Sequence, residues 1–237
     1  HLAAISSVLL SVDEPEKTWD VNLRGTWNVL EAARLSGASR VVFASSASVY
    51  GANLRTPFRE STPLKGSSPY ATSKLLGEGL CDQYARLYGL KTTALRFFSV
   101  YGPRQNPKSQ YSAVIPTFAT LLLAGQRPTV YGDGTQTRDF IYVEDVVRAI
   151  LLAARRRSAI GRVINVGTGK QVSVNQLLGA VQKGLNTYIE PMYAPLKPGD
   201  DPRTCADTRL AKTLLGFSPS KSLDKGLQAT LQWFARS

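Results

Sequence analysis

Tyr70 and Lys74 stand four residues apart in Tyr70-Ala71-Thr72-Ser73-Lys74, and Ser46 closes the earlier run Phe43-Ala44-Ser45-Ser46. Residues four apart share one face of a helix, so the Lys74 ammonium can lie beneath the Tyr70 ring. A free tyrosine titrates near 10, about three units too high for a base at neutral pH. A neighbouring positive charge favours the phenolate and lowers that value. A serine hydroxyl within reach of the same proton can share it. Together the three side chains suit the removal of a proton from an alcohol and its return. This chemistry requires Tyr70 to open a helix and Ser46 to end a strand at one edge of a sheet.

The surrounding pattern meets both requirements. Residues 15–36 read as one helix, with Trp19, Leu23, Val29, Leu30 and Ala33 apolar and Gly37 as its stop. Residues 41–46 form a short apolar run ending in small polar residues, as a buried parallel strand should. Residues 70–88 read as the next helix, with Leu76, Leu80, Tyr84 and Leu87 along one side, and residues 92–98 as the next strand. Further helices are predicted over 114–124, 143–157 and 174–185, the last opened by a capping box of Ser173 and Gln176. Short strands at 129–131 and 162–166 fall between them. Alternating strands and helices with short connections predict the α/β class, built as a doubly wound parallel sheet. The pattern loosens after residue 100, with Pro and Gly clusters at 102–107 and 195–202. Residues 1–110 are therefore read as the part holding the catalytic side chains. Residues 111–237 are read as a smaller substrate-binding region whose strands and helices return in places to the sheet.

Composition excludes several classes. The formal net charge is +12, but the basic residues are scattered except for Arg155, Arg156 and Arg157. That trio is expected in the last turn of a helix, where cations complement exposed carbonyls. With no basic stripe interleaved with aromatics, nucleic acid is not an expected partner. Cys81 and Cys205 lie far apart and the one histidine is His1, which argues against a metal site and against a disulfide framework. No stretch approaches the roughly 20 apolar residues that span a bilayer, and none reads as a secretion leader. No membrane association is expected, and a cytoplasmic protein is the default. The chain opens with His1 and its single methionine is Met192, so a processed, truncated or partial product is expected.

Further segments accompany these residues: His1-Leu2-Ala3-Ala4, Val21-Asn22 with Gly25-Thr26, and Asn28-Val29-Leu30-Glu31-Ala32. Others are Leu95-Arg96-Phe97-Phe98, Tyr101-Gly102-Pro103-Arg104, Tyr131-Gly132-Asp133-Gly134, Arg138-Asp139-Phe140-Ile141-Tyr142-Val143 and Asn165-Val166-Gly167. With the serine-rich run and the Tyr70/Lys74 pair, they resemble the extended short-chain dehydrogenase/reductase family, in its NAD-dependent epimerase/dehydratase branch. The resemblance implies a Rossmann-like fold and NAD as cofactor. It implies catalytic roles for Ser46, Tyr70 and Lys74. Cofactor contacts are implied for Leu2, Ala3, Ala4, Asn22, Ala44 and Phe98, together with Tyr70 and Lys74. Substrate contacts are implied for Ser46, Ser48, Ser99, Tyr131, Arg138, Lys197 and Asp200, with Arg138 on the diphosphate of a UDP-sugar and Tyr131 against its uracil.

In such proteins a glycine-rich turn in the first strand-helix unit holds the NAD pyrophosphate. That unit precedes the segment matching His1-Leu2-Ala3-Ala4, so this chain alone is expected to bind NAD weakly and its longer parent to bind it well. The resemblance also implies a homodimer packed through the helices over 15–36 and 70–88.

Relatives that dehydrate or decarboxylate carry carboxylates just after the catalytic serine or threonine, whereas here the positions hold Ala47 and Ser48. The remaining set suffices for oxidation at C4 and its reversal, which is 4-epimerisation. Three positions depart from the common pattern. Ser99 replaces an asparagine, Lys197 an arginine, and Thr204 a bulky tyrosine found in epimerases restricted to UDP-glucose. The smaller Thr204 would leave room for an N-acetyl group. A dehydratase or reductase of the same branch, and a non-catalytic binder of sugar nucleotides, are the alternatives.

Overall fold

The computed structural model describes residues 1–51, 53, 55–107, 113–196 and 203–236. The chain opens with α1 (Val8–Asp13), α2 (Pro15–Thr18), a π-helical turn (Trp19–Arg24) and α3 (Gly25–Leu35). Strand β1 (Val41–Ser46) follows, with a 3-10 turn (Ala47–Tyr50), α4 (Pro69–Tyr88), β2 (Thr92–Phe97) and β3 (Ser99–Tyr101). Next come α5 (Val114–Leu123), β4 (Thr129–Tyr131), β5 (Thr137–Arg138), β6 (Phe140–Tyr142) and α6 (Val143–Arg155). The remainder comprises β7 (Arg162–Val166), β8 (Val172–Ser173), α7 (Val174–Gly184), β9 (Met192–Ala194), α8 (Arg209–Leu215) and α9 (Leu223–Phe234).

The central sheet runs β1-β2-β7, all parallel, with Val41 opposite Thr92 and Ala94 opposite Val163. Alternate side chains leave opposite faces of a strand. Val41 and Phe43 accordingly pack with Leu30, Cys81 and Tyr84 from α3 and α4. Val42, Leu95 and Ile164 pack instead with Val146, Ala149 and Leu215 from α6 and α8. Helices therefore cover both faces, as the alternating pattern predicted. A separate core of Phe118, Leu122, Val130, Leu177, Val181 and Leu231 joins α5, α7 and α9 to short strand pairs. Pairing there is local: β3 with β6, β4 with β9, and β5 with β8.

Helix α4 begins where Ser68 accepts a hydrogen bond from the Ala71 amide at 3.1 Å, with Pro69 already in helical geometry. It ends at Gly89, which adopts the left-handed conformation at φ 70°. This cap fixes Tyr70 in the first turn.

The structure also departs from the sequence reading. The single helix expected over 15–36 is divided by the π-helical turn, within which the Asn22 side chain bonds to the Ile5 backbone. Helix α1 was not foreseen; it is short, and Ser7 caps it through the Leu10 amide. Helices α8 and α9 were not foreseen either. Of the three consecutive arginines only Arg155 is helical, while Arg156 caps α6 and Arg157 starts a 3-10 turn. Besides Arg155, Arg40 serves that helix end, its guanidinium donating to the Ala153 and Arg156 carbonyls at 2.6 and 2.9 Å.

Gly77 is where α4 meets the sheet: a β-carbon there would stand 2.5 Å from the Phe43 ring. Around Gly179 in α7 nothing would lie within 4 Å. Urea denaturation should therefore show Gly77→Ala losing about 1–3 kcal/mol through overpacking. The same measurement should show Gly179→Ala gaining up to about 1 kcal/mol from helix propensity alone. Equal effects would mean that α4 does not pack this closely.

Candidate active site

The Tyr70 and Lys74 side chains lie on the inward face of α4, and both are buried, at 8% and 5% exposure. The Tyr70 amide donates to the Ser11 hydroxyl at 3.1 Å, which ties the first turn of α4 to α1. Lys74 Nζ donates to the Ala44 carbonyl of β1 at 2.9 Å. It lies 5.2 Å from the centre of the Phe43 ring and 5.9 Å from that of Tyr70. The ammonium thus sits among two aromatic rings and a strand carbonyl, close to the geometry expected from the four-residue spacing. Ser46 is the last residue of β1 and its hydroxyl interacts with the Tyr70 phenol. It also accepts hydrogen bonds from the Ser48 hydroxyl at 3.0 Å and the Ser48 amide at 3.2 Å. Ala47 is buried in the same turn.

The first residues run along the outer edge of β1. The His1 amino group donates to the Val42 carbonyl, and the Ala44 amide donates to the His1 carbonyl. Leu2 and Ala3 are exposed beyond this edge and Ala4 is partly covered. Asn22 is buried and holds that segment with both ends of its amide, accepting from Ile5 N at 2.8 Å and donating to Ile5 O at 3.0 Å. Its amide also donates to Ser73 Oγ at 3.1 Å, so one side chain joins the edge segment to α4. Phe98 is buried beside Tyr50 just past β2.

On the other side of the sheet edge, Ser99 and Arg138 line a cavity of about 200 Å³ with Gln105, Val114, Ile115 and Phe140. The structure therefore brings together two residues expected to hold the substrate. Beside Arg138, the Asp139 carboxylate engages the Thr168, Gly169 and Ala206 amides at 2.7–3.0 Å. Glu144 faces Lys221 at 3.7 Å. Tyr131 is 37% exposed next to fully buried Val130, so its ring is not core. Thr204 is buried and its amide donates to the Thr137 carbonyl. Lys197 and Asp200 lie outside the described residues.

A sequence profile of the NAD dependent epimerase/dehydratase family matches residues 1–167. The chain belongs to this family. It is 39% identical over 235 residues to the UDP-glucose 4-epimerase of Mycolicibacterium smegmatis, covering 99% of this chain and 74% of that protein. The Thermotoga maritima UDP-glucose 4-epimerase, solved with UDP-glucose, matches at TM-score 0.96 and 37% identity over 100% of this chain and 76% of that one. The UDP-N-acetylglucosamine 4-epimerase of Methanobrevibacter ruminantium, in complex with UDP-N-acetylmuramic acid, matches at TM-score 0.95 and 37% identity, covering 99% and 75%.

The electrostatics of this epimerase/dehydratase-family site differ from the sequence expectation in one respect. Burial pushes the Tyr70 phenol above its ordinary value, and the Ser46 hydrogen bond offsets only part of the rise. Removal from water dominates here, and the chain's own groups do not produce a phenolate. Lys74 is pushed down to about 8 by the same burial. It is a buried ammonium with one partner, the Ala44 carbonyl, for its three N–H donors among the described residues. An oxygen-rich ligand at the strand end would satisfy the rest, so the site fits the cofactor named by the family.

Sequence reasoning gave no role to the polar groups behind this face, Ser45, Glu78, Arg96 and Asn165, all of them buried. Glu78 follows Lys74 at the same four-residue spacing, a signal that was available.

Because Lys74 titrates lower folded than unfolded, the unfolded chain binds more protons between about pH 8 and 10.5. Its contribution to stability is thus unfavourable below pH 8 and relieved as the pH rises through that window. Lys74→Met should melt within about 2 °C of wild type, or above it, at pH 7. The wild type should then gain roughly 2–3 kcal/mol on the variant by pH 10.5. Parallel pH profiles of the two proteins would show that the ammonium is not buried.

Proposed function

We propose that this protein is an NAD-dependent nucleotide-sugar 4-epimerase, interconverting UDP-glucose and UDP-galactose or the N-acetylated pair through transient oxidation at C4. The observation that carries the reading is the cluster of half-buried Ser46 with buried Tyr70 and Lys74 at the carboxyl end of β1, followed by Ala47 and Ser48 where dehydration would need carboxylates. Ser46 and Tyr70 would hold the C4 hydroxyl and take its proton, then return it once the sugar has presented its other face. Lys74, the Ala44 strand end, Leu2 to Ala4, Asn22 and Phe98 would hold NAD. When bound, NAD supplies a hydride acceptor that gives the hydride back, together with a positive charge beside the phenol.

Residues 1–110 would form the cofactor and catalytic side and 111–237 mainly the nucleotide-sugar side. There Arg138 offers a guanidinium fork to the diphosphate. Ser99, Tyr131, Lys197 and Asp200 would complete the substrate contacts, with Ser48 beside Ser46. Thr204 in place of a bulky aromatic favours acceptance of the N-acetylated sugar. Among the described residues no helix is long and apolar enough to cross a membrane, and both cysteines are buried free thiols. Reduced cysteines support a cytoplasmic location.

A second copy of the chain is the proposed partner. A groove of about 530 Å³ is lined by Leu23, Leu76, Leu80 and Leu87 together with Asp82 and Arg86. A mix of leucines with one charge of each sign is self-complementary across a two-fold axis. Sedimentation velocity should find a dimer, and a monomer for Leu76→Asp; a monomeric wild type contradicts this assembly.

In the full gene product with NAD, Tyr70→Phe should lower kcat for UDP-galactose or UDP-N-acetylgalactosamine by about 10³-fold. Its melting temperature should stay near that of wild type. A loss below tenfold would remove Tyr70 from the mechanism. With NADH supplied in place of NAD, its net oxidation as the sugar is reduced would instead support the reductase reading.

A further inference from the structure

Tyr70, Lys74 and Glu78 follow one another at intervals of four along the inward face of α4. Glu78 is 7% exposed and meets the Arg96 guanidinium of β2 as a fork, Nε to Oε1 at 2.9 Å and Nη2 to Oε2 at 2.8 Å. The Ser45 hydroxyl of β1 donates to the same carboxylate. The other side of the guanidinium donates to the Tyr50 hydroxyl at 2.9 Å and the Glu60 carbonyl at 3.2 Å. Tyr50 in turn donates to Asn165 Oδ1 of β7 at 2.7 Å. None of Ser45, Tyr50, Glu78, Arg96 and Asn165 is left among the buried side chains lacking a hydrogen-bond partner.

We propose that Glu78 and Arg96 are positioning residues: through Ser45, their ion pair sets the Tyr70/Lys74 face of α4 against the strand end that carries Ser46. This rests on the reading of Ser46, Tyr70 and Lys74 as the catalytic set. Stability alone does not account for the pair, since apolar residues of similar volume commonly replace a buried ion pair at little cost or with a gain. What the pair supplies is direction. Apolar packing tolerates sliding between helix and strand, whereas a forked hydrogen bond fixes both distance and angle. Ser45 is the neighbour of Ser46, so a carboxylate that grips Ser45 limits the strand end where the proton-sharing hydroxyl sits. The same guanidinium reaches Tyr50 in the turn that follows Ser46, gripping that turn from its other end. Misplacement of about 1 Å between reacting groups can lower a rate about 100-fold.

Two variants separate positioning from bulk stability. Ser45→Ala removes one link, and the double change Glu78→Leu with Arg96→Met replaces the pair by apolar volume. Both are expected to melt within roughly 3 °C of wild type. Their kcat with NAD and UDP-galactose should fall about 10-fold and about 100-fold, with KM within about threefold. The ζ-carbon NMR resonance of Tyr70, assigned with Tyr70→Phe, should move in both, because its Ser46 contact changes. A folded Ser45→Ala with kcat within twofold of wild type overturns the proposal, as does a loss expressed in KM or an unmoved Tyr70 resonance. If the double variant does not fold, Ser45→Ala decides alone. If the wild type does not epimerise UDP-sugars, the functional reading fails and the Tyr70 resonance, which needs no substrate, still decides the positioning.

Discussion

A lysine ammonium held out of water beneath a tyrosine ring is the constraint on which the rest of this structure depends. Burial pushes Lys74 down to about 8 and Tyr70 upward, so both groups oppose the ionisation that proton transfer needs. Such an arrangement persists only if the surrounding fold over-determines it. The Ser68 cap sets the helix start, Ser11 takes the Tyr70 amide, and the Ala44 carbonyl takes the ammonium. Phe43 packs where Gly77 leaves no side chain, bringing α4 onto β1 closely enough for these contacts to be made.

The two sides of the molecule meet through a second buried group. Asp139 lies beside Arg138 in sequence, and its carboxylate gathers amides from the Thr168–Gly169 turn and from Ala206. Ala206 forms a bridge with Phe58, whose carbonyl also accepts from Asn165. The strand that offers Arg138 is thereby fixed relative to the central sheet by hydrogen bonds to backbone, which tolerate little displacement. On the proposed reading, with catalytic side chains on one side and substrate contacts on the other, such a rigid join keeps the bound sugar in register with Tyr70.

What could be read from the sequence was whatever repeats at short range. The period of residues 70–88, the apolar run at 41–46 and the Ser173 capping box translated directly into α4, β1 and the start of α7. The Tyr70/Lys74 geometry followed from helical spacing alone. Contacts set by strand register were hidden. Arg96 meets Glu78 only because β2 lies beside β1 in one particular alignment, and Arg40 reaches the end of α6 from more than 110 residues away. The π-helical turn was equally invisible, as was the long-range contact that Asn22 makes from it to the backbone of Ile5. Spacing likewise reveals the charge beside Tyr70 but not the loss of water around both groups.

The most direct test of the central claim follows the hydrogen at C4 of the sugar. UDP-galactose carrying deuterium at C4 is incubated with the full gene product and NAD, and the UDP-glucose formed is analysed by NMR and mass spectrometry. The account predicts that deuterium remains at C4 of the product, with none lost to water. Deuterium found at C6 of a deoxy sugar, or exchanged into solvent, would contradict it.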